Sequence, residues 1–168
     1  PFAMESLPEF DGKPLVNAMT SELKLEPEDK AEAESKPAEG ADALLARMKE
    51  VLSEKVDEVR TSQRLTDSPV CLVIPEGGLA PHIEQLLRAR KMSVPPSKRI
   101  LEVNTRHPVI ENLARAVSAR GDGDDVISWI RTLYDQALIA EGSPVDDPAD
   151  FARRLTDLVR RASTSAVV

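Results

Sequence analysis

Apolar residues recur at helical spacing in the last third of the chain, where they predict two helices joined by a short turn. The first helix starts near Asp124, and Gly142 is expected to end it because glycine adopts a positive φ without a Cβ penalty. Asp147 followed by Pro148 is typical of a helix start. The second helix has a narrow apolar seam, formed by Phe151, Leu155, Leu158 and Ala162.

The stripe of the first helix is wider than one partner helix would cover. Its apolar positions are Val126, Ile130, Leu133, Ala137 and Ala140, widened by Ile127, Tyr134 and Leu138. The two helices therefore carry more apolar surface than they can bury against each other.

Upstream of this pair, the pattern predicts a helix followed by two strands. Leucine, methionine and valine recur at helical spacing from Ala43 to about Lys55. Residues 56–65 alternate partially and predict a half-exposed strand. Residues 70–74 are continuously apolar, so we expect them to form the central, fully buried strand. The spacing leaves open whether the two strands form a hairpin or belong to a twisted mixed sheet.

The remaining elements complete an α+β fold. A helix is predicted over residues 79–90, with Pro81 in its first turn, where a missing N–H is tolerated. A third strand is predicted over 99–104, and His107-Pro108 begins another helix that ends near Gly121. The predicted fold class is α+β in two layers, in the order α-β-β-α-β-α-α-α: a helix, a three-stranded sheet with one intervening helix, and a three-helix C-terminal part.

The N-terminal part of the chain differs in composition. Asp11-Gly12 before Lys13-Pro14 predicts a turn, and the apolar residues 15–19 predict a short strand. Residues 26–41 are rich in Glu, Lys, Ala and Pro, and they cannot offset their ordering entropy by burial. We expect them to be an acidic linker that precedes a domain comprising residues 42–168.

Charge and composition exclude several classes of function. The net charge is −7, and the first 40 residues carry ten acidic and four basic side chains. Without a basic stripe, nucleic acid is not an expected partner. No run approaches the ~20 apolar residues of a membrane span. The lone Cys71 cannot form an intrachain disulfide, which fits a reducing cytosol. Since the chain begins with Pro, we expect it to be a piece of a longer protein.

Candidate catalytic chemistry is sparse. His82 and His107 lack metal-ligand spacing, and His107 is expected to be a helix-entry residue. Cys71 lies in an apolar run, where a buried small hydrophobe is expected. Neither a nucleophile elbow nor a phosphate-binding loop occurs. These observations favour binding or assembly over an enzyme, which would need a pocket of converging polar groups.

Several motifs in order along nearly the whole chain carry a resemblance to a known family. They are residues 9–14 (EFDGKP), 64–69 (RLTDSP), 99–104 (RILEVN) followed by His107-Pro108, 134–142 (YDQALIAEG), and Asp147-Pro148 with Phe151. Together they resemble the C-terminal region of the 90-kilodalton heat-shock protein chaperones, most closely the bacterial members. The resemblance implies that residues 1–25 are the tail of a middle domain and residues 26–41 the junction.

For this family, the resemblance implies a homodimerisation domain of an ATP-dependent chaperone in the cytoplasm. The last two helices of each chain would form a four-helix bundle with those of the partner. The implied interface residues are Ile130, Leu133, Tyr134, Ala137, Leu138, Phe151, Leu155, Leu158 and Ala162, of which those before residue 142 would be divided between the bundle and packing within the chain. ATP and Mg²⁺ would bind to a separate N-terminal domain. The chain is therefore expected to bind no cofactor or metal and to have no catalytic residue.

The resemblance also implies that the helix over 79–90 contacts unfolded client proteins. The matching positions are Leu79, Ile83, Leu86 and Leu87, together with Phe2. Related bacterial members often have Met and Phe in this helix, whereas this chain has Leu and Ile plus Pro81. The residues alone leave open whether this stripe packs on the sheet or is exposed. The alternative function of the chain is a purely structural dimerisation module without client contacts. From the residues 163–168 at its end, we expect no counterpart of the acidic cochaperone-binding tail of eukaryotic cytosolic members.

Overall fold

The computed structural model of the chain describes residues 9–14, 39–75, 77–92, 98–120 and 123–165. Its helices are α1 (Ala41–Val51), α2 (Pro81–Ala89), α3 (Pro108–Arg120), α4 (Asp124–Glu141) and α5 (Pro148–Ser165). Its strands are β1 (Glu9–Phe10), β2 (Lys13–Pro14), β3 (Val56–Thr61), β4 (Val70–Val73) and β5 (Arg99–Val103). The predicted α+β class and the order of elements from α1 onward are confirmed.

The three-stranded sheet is mixed, with the order β3-β5-β4. Strand β5 pairs parallel to β3 and antiparallel to β4. The mixed-sheet interpretation is therefore confirmed, and the hairpin between β3 and β4 is wrong. The prediction that residues 70–74 form the central strand is also wrong, because β5 occupies that position. All five residues of β5 are buried, including Arg99 and Glu102. Because charged residues are not expected in a fully buried strand, the sequence pattern did not identify β5 as the central one.

One face of the sheet packs against helices. Side chains alternate across a strand, so Leu101 and Val103 share a face with their antiparallel partners Leu72 and Val70. These four residues belong to the main apolar cluster, to which α1, α3 and α4 also contribute. The helical members of this cluster include Leu44, Met48, Ile110, Leu113, Val126 and Ile130. The core is thus mostly aliphatic and lies between the sheet and three helices.

The opposite face of the sheet carries a buried charge cluster centred on Glu102. Its Oε1 accepts hydrogen bonds from Arg60 Nε at 3.2 Å and Nη2 at 2.7 Å. Its Oε2 accepts from Arg64 Nε at 2.9 Å and from the Ser62 hydroxyl at 3.1 Å. The Ser62 Oγ also accepts from the backbone N–H groups of Arg64 and Leu65, which turns the chain and ends β3 at Thr61, earlier than predicted.

Local turn and capping signals agree with the structure. Asp11 and Gly12 both have positive φ, of 52° and 73°, as a two-residue turn between antiparallel strands requires, and β1 and β2 flank them. Gly142 ends α4 with φ 84°. The Asp147 Oδ1 accepts from the Asp150 N–H at 2.9 Å, and the carbonyl of His107 accepts from the N–H of Ile110 at 2.8 Å. The predicted short strand over 15–19, residues 26–38 of the linker and Phe2 lie outside the described residues.

We expect Glu102→Ala to lower the free energy of unfolding by about 3 kcal/mol, because it leaves two partly buried guanidinium groups without their acceptor. Chemical denaturation of the chain measures this change. Glu111→Ala is the control, since Glu111 forms an exposed i,i+4 pair with Arg115 and should change stability by less than about 0.5 kcal/mol. Equal effects of the two substitutions would show that the Glu102 cluster contributes no more than a surface pair.

Candidate interaction surface on the C-terminal helices

Helix α5 is amphipathic but has no buried residue in the single chain. Leu155 and Val159 expose 46% and 60% of their surface, and Phe151 and Leu158 are half-buried. Ala162, further along the same face, is exposed. Large aliphatic side chains exposed next to one another on one face are typical of an interaction surface.

Charged side chains fix α5 to α4. The guanidinium of Arg154 donates from Nη2 to Asp135 Oδ2 at 2.5 Å, from Nε to Asp150 Oδ2 at 2.8 Å, and from Nη1 to Thr132 Oγ1 at 3.0 Å. Burial disfavours the charged form of Arg154, but the hydrogen bonds to Asp135 and Asp150 outweigh it and raise the pKa of Arg154. A second pair joins Arg161 to Asp125 at 2.8 Å. The apolar face of α5 is therefore presented in a defined orientation.

An apolar groove of about 660 Å³ lies beside this face, between α3 and α4. Residues that line it include Val109, Leu113, Ala116, Trp129, Leu133 and Leu158. Val109 exposes 47% of its surface, and Trp129 is half-buried. The groove and the exposed face of α5 are continuous through Leu158, so together they form one apolar surface, which we call the α4–α5 surface.

The predicted interface residues of α4 are buried within the single chain, unlike those of α5, although Leu133 also lines the groove. Their exposed fractions in the single chain are small, at 0% for Ile130, 7% for Leu133, 6% for Tyr134, 2% for Ala137 and 7% for Leu138. All five belong to the main apolar cluster. Most of their surface is thus already covered within the chain, and their contact with a partner stays a prediction.

Sequence reasoning missed three apolar residues of the two helices that the structure leaves accessible. Trp129 lines the groove, Ile139 exposes 52% of its surface on α4, and Val159 extends the face of α5. The signal was present, because residues 129, 132, 136 and 139 form a second stripe at helical spacing beside the buried one. Thr132 and Gln136 in that stripe made it less apolar than its neighbour.

Helix α2 carries Ile83, Leu86 and Leu87 of the residues predicted to contact clients. The helix begins at Pro81 and not at residue 79 as predicted, so Leu79 precedes it. Leu86 exposes 40% of its surface, whereas Leu79, Ile83 and Leu87 are half-buried. None of the described residues of α2 belongs to the main apolar cluster. The stripe is therefore neither fully covered nor fully open, and the structure does not bring it together with the α4–α5 surface.

Cys71 differs from the buried small hydrophobe that the sequence predicted. Its side chain is half-buried beside the Glu102 cluster, with Sγ 3.9 Å from Arg64 Nη2 and 4.0 Å from Glu102 Oε2. Burial, followed by the negative charge of Glu102, raises the pKa of the Cys71 thiol. The thiol is therefore a poor nucleophile at neutral pH.

The part of the chain that the structure describes contains no group of three or more His, Cys, Asp or Glu side chains arranged to hold a metal ion. In the same residues, no helix combines the length and apolar character needed to cross a membrane.

Comparison with known proteins gives consistent matches across the chain. A family model described as Hsp90 protein matches residues 1–166. The chain is 49% identical over 168 residues to the Chaperone protein HtpG of Myxococcus xanthus (strain DK1622), in an alignment that covers 98% of the chain and 26% of that relative. It is 45% identical over 156 residues to the Chaperone protein HtpG of Mycobacterium avium (strain 104), which covers 91% of the chain and 24% of that relative. The chain thus spans about a quarter of the length of the curated relatives it matches.

Tyr134 provides a test of the packing of α4 in the main apolar cluster, because it is the only tyrosine in the chain. Burial, followed by the charges of Asp146, Asp135 and Glu141, raises the pKa of Tyr134 to about 12. Since this value lies above the ordinary 10.0, the fold favours the neutral hydroxyl, and stability falls as the pH rises from about 10 to about 12.

We expect the ultraviolet absorbance of tyrosinate to appear near pH 12 in the folded chain and near pH 10 in the denatured chain. Circular dichroism at each pH reports whether the chain is still folded. Titration near pH 10 with a native circular dichroism spectrum would contradict this packing.

Proposed function

Because the chain belongs to the Hsp90 protein family, we propose that it is the homodimerisation and client-contacting region of a molecular chaperone that assists the folding of unfolded or stressed proteins. The relatives that match it carry the name Chaperone protein HtpG. The observation that carries the proposal is α5, an amphipathic helix of 18 residues without a buried side chain.

A second copy of the chain is the occupant that fits the α4–α5 surface. In a two-fold symmetric contact the same patch is used by both chains, so a helix face and a groove that lie side by side on one chain can each pack against the other feature on the partner. The face of α5 and the groove lined by Trp129 and Leu158 lie side by side in this way. Burial of Leu155 and Val159 from both chains would supply apolar stabilisation at roughly 25 cal/mol per Å².

Client contact is assigned to α2 in this proposal. Its exposed Leu86 and half-buried Ile83 offer a small apolar patch, and such a patch suits weak contacts with many unfolded chains because apolar burial is non-directional. The half-buried state of Leu79 and Leu87 favours the alternative, in which the chain is a structural dimerisation module without client contacts.

The remaining parts of the proposal concern the whole protein. We place its ATP and Mg²⁺ sites outside this chain and expect the chain alone not to hydrolyse ATP. We also propose that it acts in the cytoplasm, with neither a membrane nor nucleic acid among its partners. The acidic charge of the chain supports the last point, because phosphate binding needs clustered Lys and Arg.

We expect Leu155→Glu to weaken dimerisation at least about 100-fold, because the symmetric contact would bury two unpaired carboxylates. Sedimentation equilibrium of the chain measures the dissociation constant. Arg160→Gln is the matched control, since it changes the charge of α5 by the same amount at a position about 140° around the helix. It should alter the constant less than about threefold. Dissociation that is unchanged in Leu155→Glu would place the contact elsewhere.

We expect the double substitution Ile83→Ser and Leu86→Ser to leave the dimer intact and to weaken the suppression of client aggregation by the intact chaperone. The physical reason is the loss of apolar area on α2 without any change at the α4–α5 surface. Light scattering from an aggregating client, measured at equal chaperone concentration, reports the effect. Full suppression by the double variant would favour the purely structural alternative.

A further inference from the structure

A buried ion bridge joins α2 to the end of α4 through the first residue of the central strand. The Arg99 Nη1 donates to Glu84 Oε1 at 3.1 Å, and its Nε donates to Glu141 Oε1 at 2.9 Å. The side chains of Arg99, Glu84 and Glu141 expose 7%, 12% and 3% of their surface. Glu84 lies in the first turn of α2, and Glu141 is the last residue of α4.

Apolar packing between α2 and the rest of the chain is limited. None of the described residues of α2 belongs to the main apolar cluster. Between the start of α2 and the turn after α4 lies a cavity of about 320 Å³, whose lining includes Pro81, Tyr134, Leu138 and Pro144 as well as the bridge residues. The position of α2 therefore depends more on directional ion pairs, and less on apolar packing, than the position of a helix embedded in the core.

The bridge holds one cation between two carboxylates. The Ser143 hydroxyl donates to Glu141 Oε2 at 2.8 Å, so Glu141 is held from both sides. Burial disfavours the charged form of Arg99, but the hydrogen bonds to Glu84 and Glu141 outweigh it and raise the pKa of Arg99. Without the guanidinium, Glu84 and Glu141 would repel each other at low exposure. Arg99 thus neutralises both carboxylates at the place where α2 meets the end of α4.

We propose that Arg99 is a positioning residue of the client-contacting helix, which acts through Glu84 to hold α2 against the end of α4. This inference rests on the proposed role of α2 in client contact. It adds that the ion bridge affects client binding indirectly, by holding α2 in position, and does not itself contact the client. The orientation of the apolar patch around Leu86 then depends on the same helix that supports the α4–α5 surface.

Hydrogen exchange of the chain tests the bridge directly. Arg99→Met is expected to destabilise the whole chain, because it leaves two buried carboxylates unneutralised. The principal variant is therefore Glu84→Ala, which removes one acceptor and preserves the pair between Arg99 and Glu141. We expect exchange in α2 to accelerate about tenfold or more, whereas α1 and α3 should change less than about twofold.

Glu111→Ala is the matched control, since Glu111 also lies in the first turn of its helix and also pairs with an arginine, at 3.9 Å on the surface. It should leave exchange in α2 unchanged. Unchanged exchange of α2 in Glu84→Ala, or acceleration of equal size in all helices, would overturn the positioning role.

A client assay separates this inference from the proposed function. If both hold, Glu84→Ala weakens the suppression of client aggregation by the intact chaperone, although every apolar residue of α2 is retained. If Ile83→Ser with Leu86→Ser weakens suppression and Glu84→Ala does not, the positioning role is overturned and client contact by α2 stands. If neither variant changes suppression, client contact by α2 is overturned, and with it the functional part of this inference.

Discussion

The exposed apolar face of α5 is the constraint on which the account of this chain depends. An amphipathic helix is normally stabilised in water by burial of its apolar face, yet α5 buries no side chain within the chain. Arg154 keeps the helix in place by joining Asp135, Asp150 and Thr132. This arrangement fixes the direction of the apolar face without covering it, so a second chain can complete the packing.

Charged residues on the central strand organise the elements around it. Arg99 and Glu102 lie on opposite faces of β5, because side chains alternate across a strand. Arg99 joins α2 to the end of α4, and Glu102 joins β3 to the turn that follows it. A central strand with buried charges is costly unless each charge has partners, and here the partners belong to different elements. The sheet therefore provides both the core and the attachment points of the outer helices.

Sequence patterns predicted the elements of this fold better than their arrangement. Helical spacing and capping residues such as Asp147 and Gly142 are local signals, so they placed α4 and α5 well. The strand order depends on pairing between distant residues, and the apolar run at 70–74 was a poor guide because β5 reaches full burial through ion pairs. The wide stripe of α4 could not show which of its residues face the core. Trp129 and Ile139 were overlooked because the neighbouring stripe to which they belong also contains polar residues. The pair between Arg154 and Asp135 links two helices and leaves no periodic signal.

Sedimentation equilibrium of the unaltered chain over a range of micromolar concentrations tests the central claim most directly. The account predicts a mass equal to two chains of 18.4 kDa, since a second copy would cover the face of α5 and the adjoining groove. A mass equal to one chain at every concentration would contradict it, because the apolar face of α5 would then have no partner of its own kind.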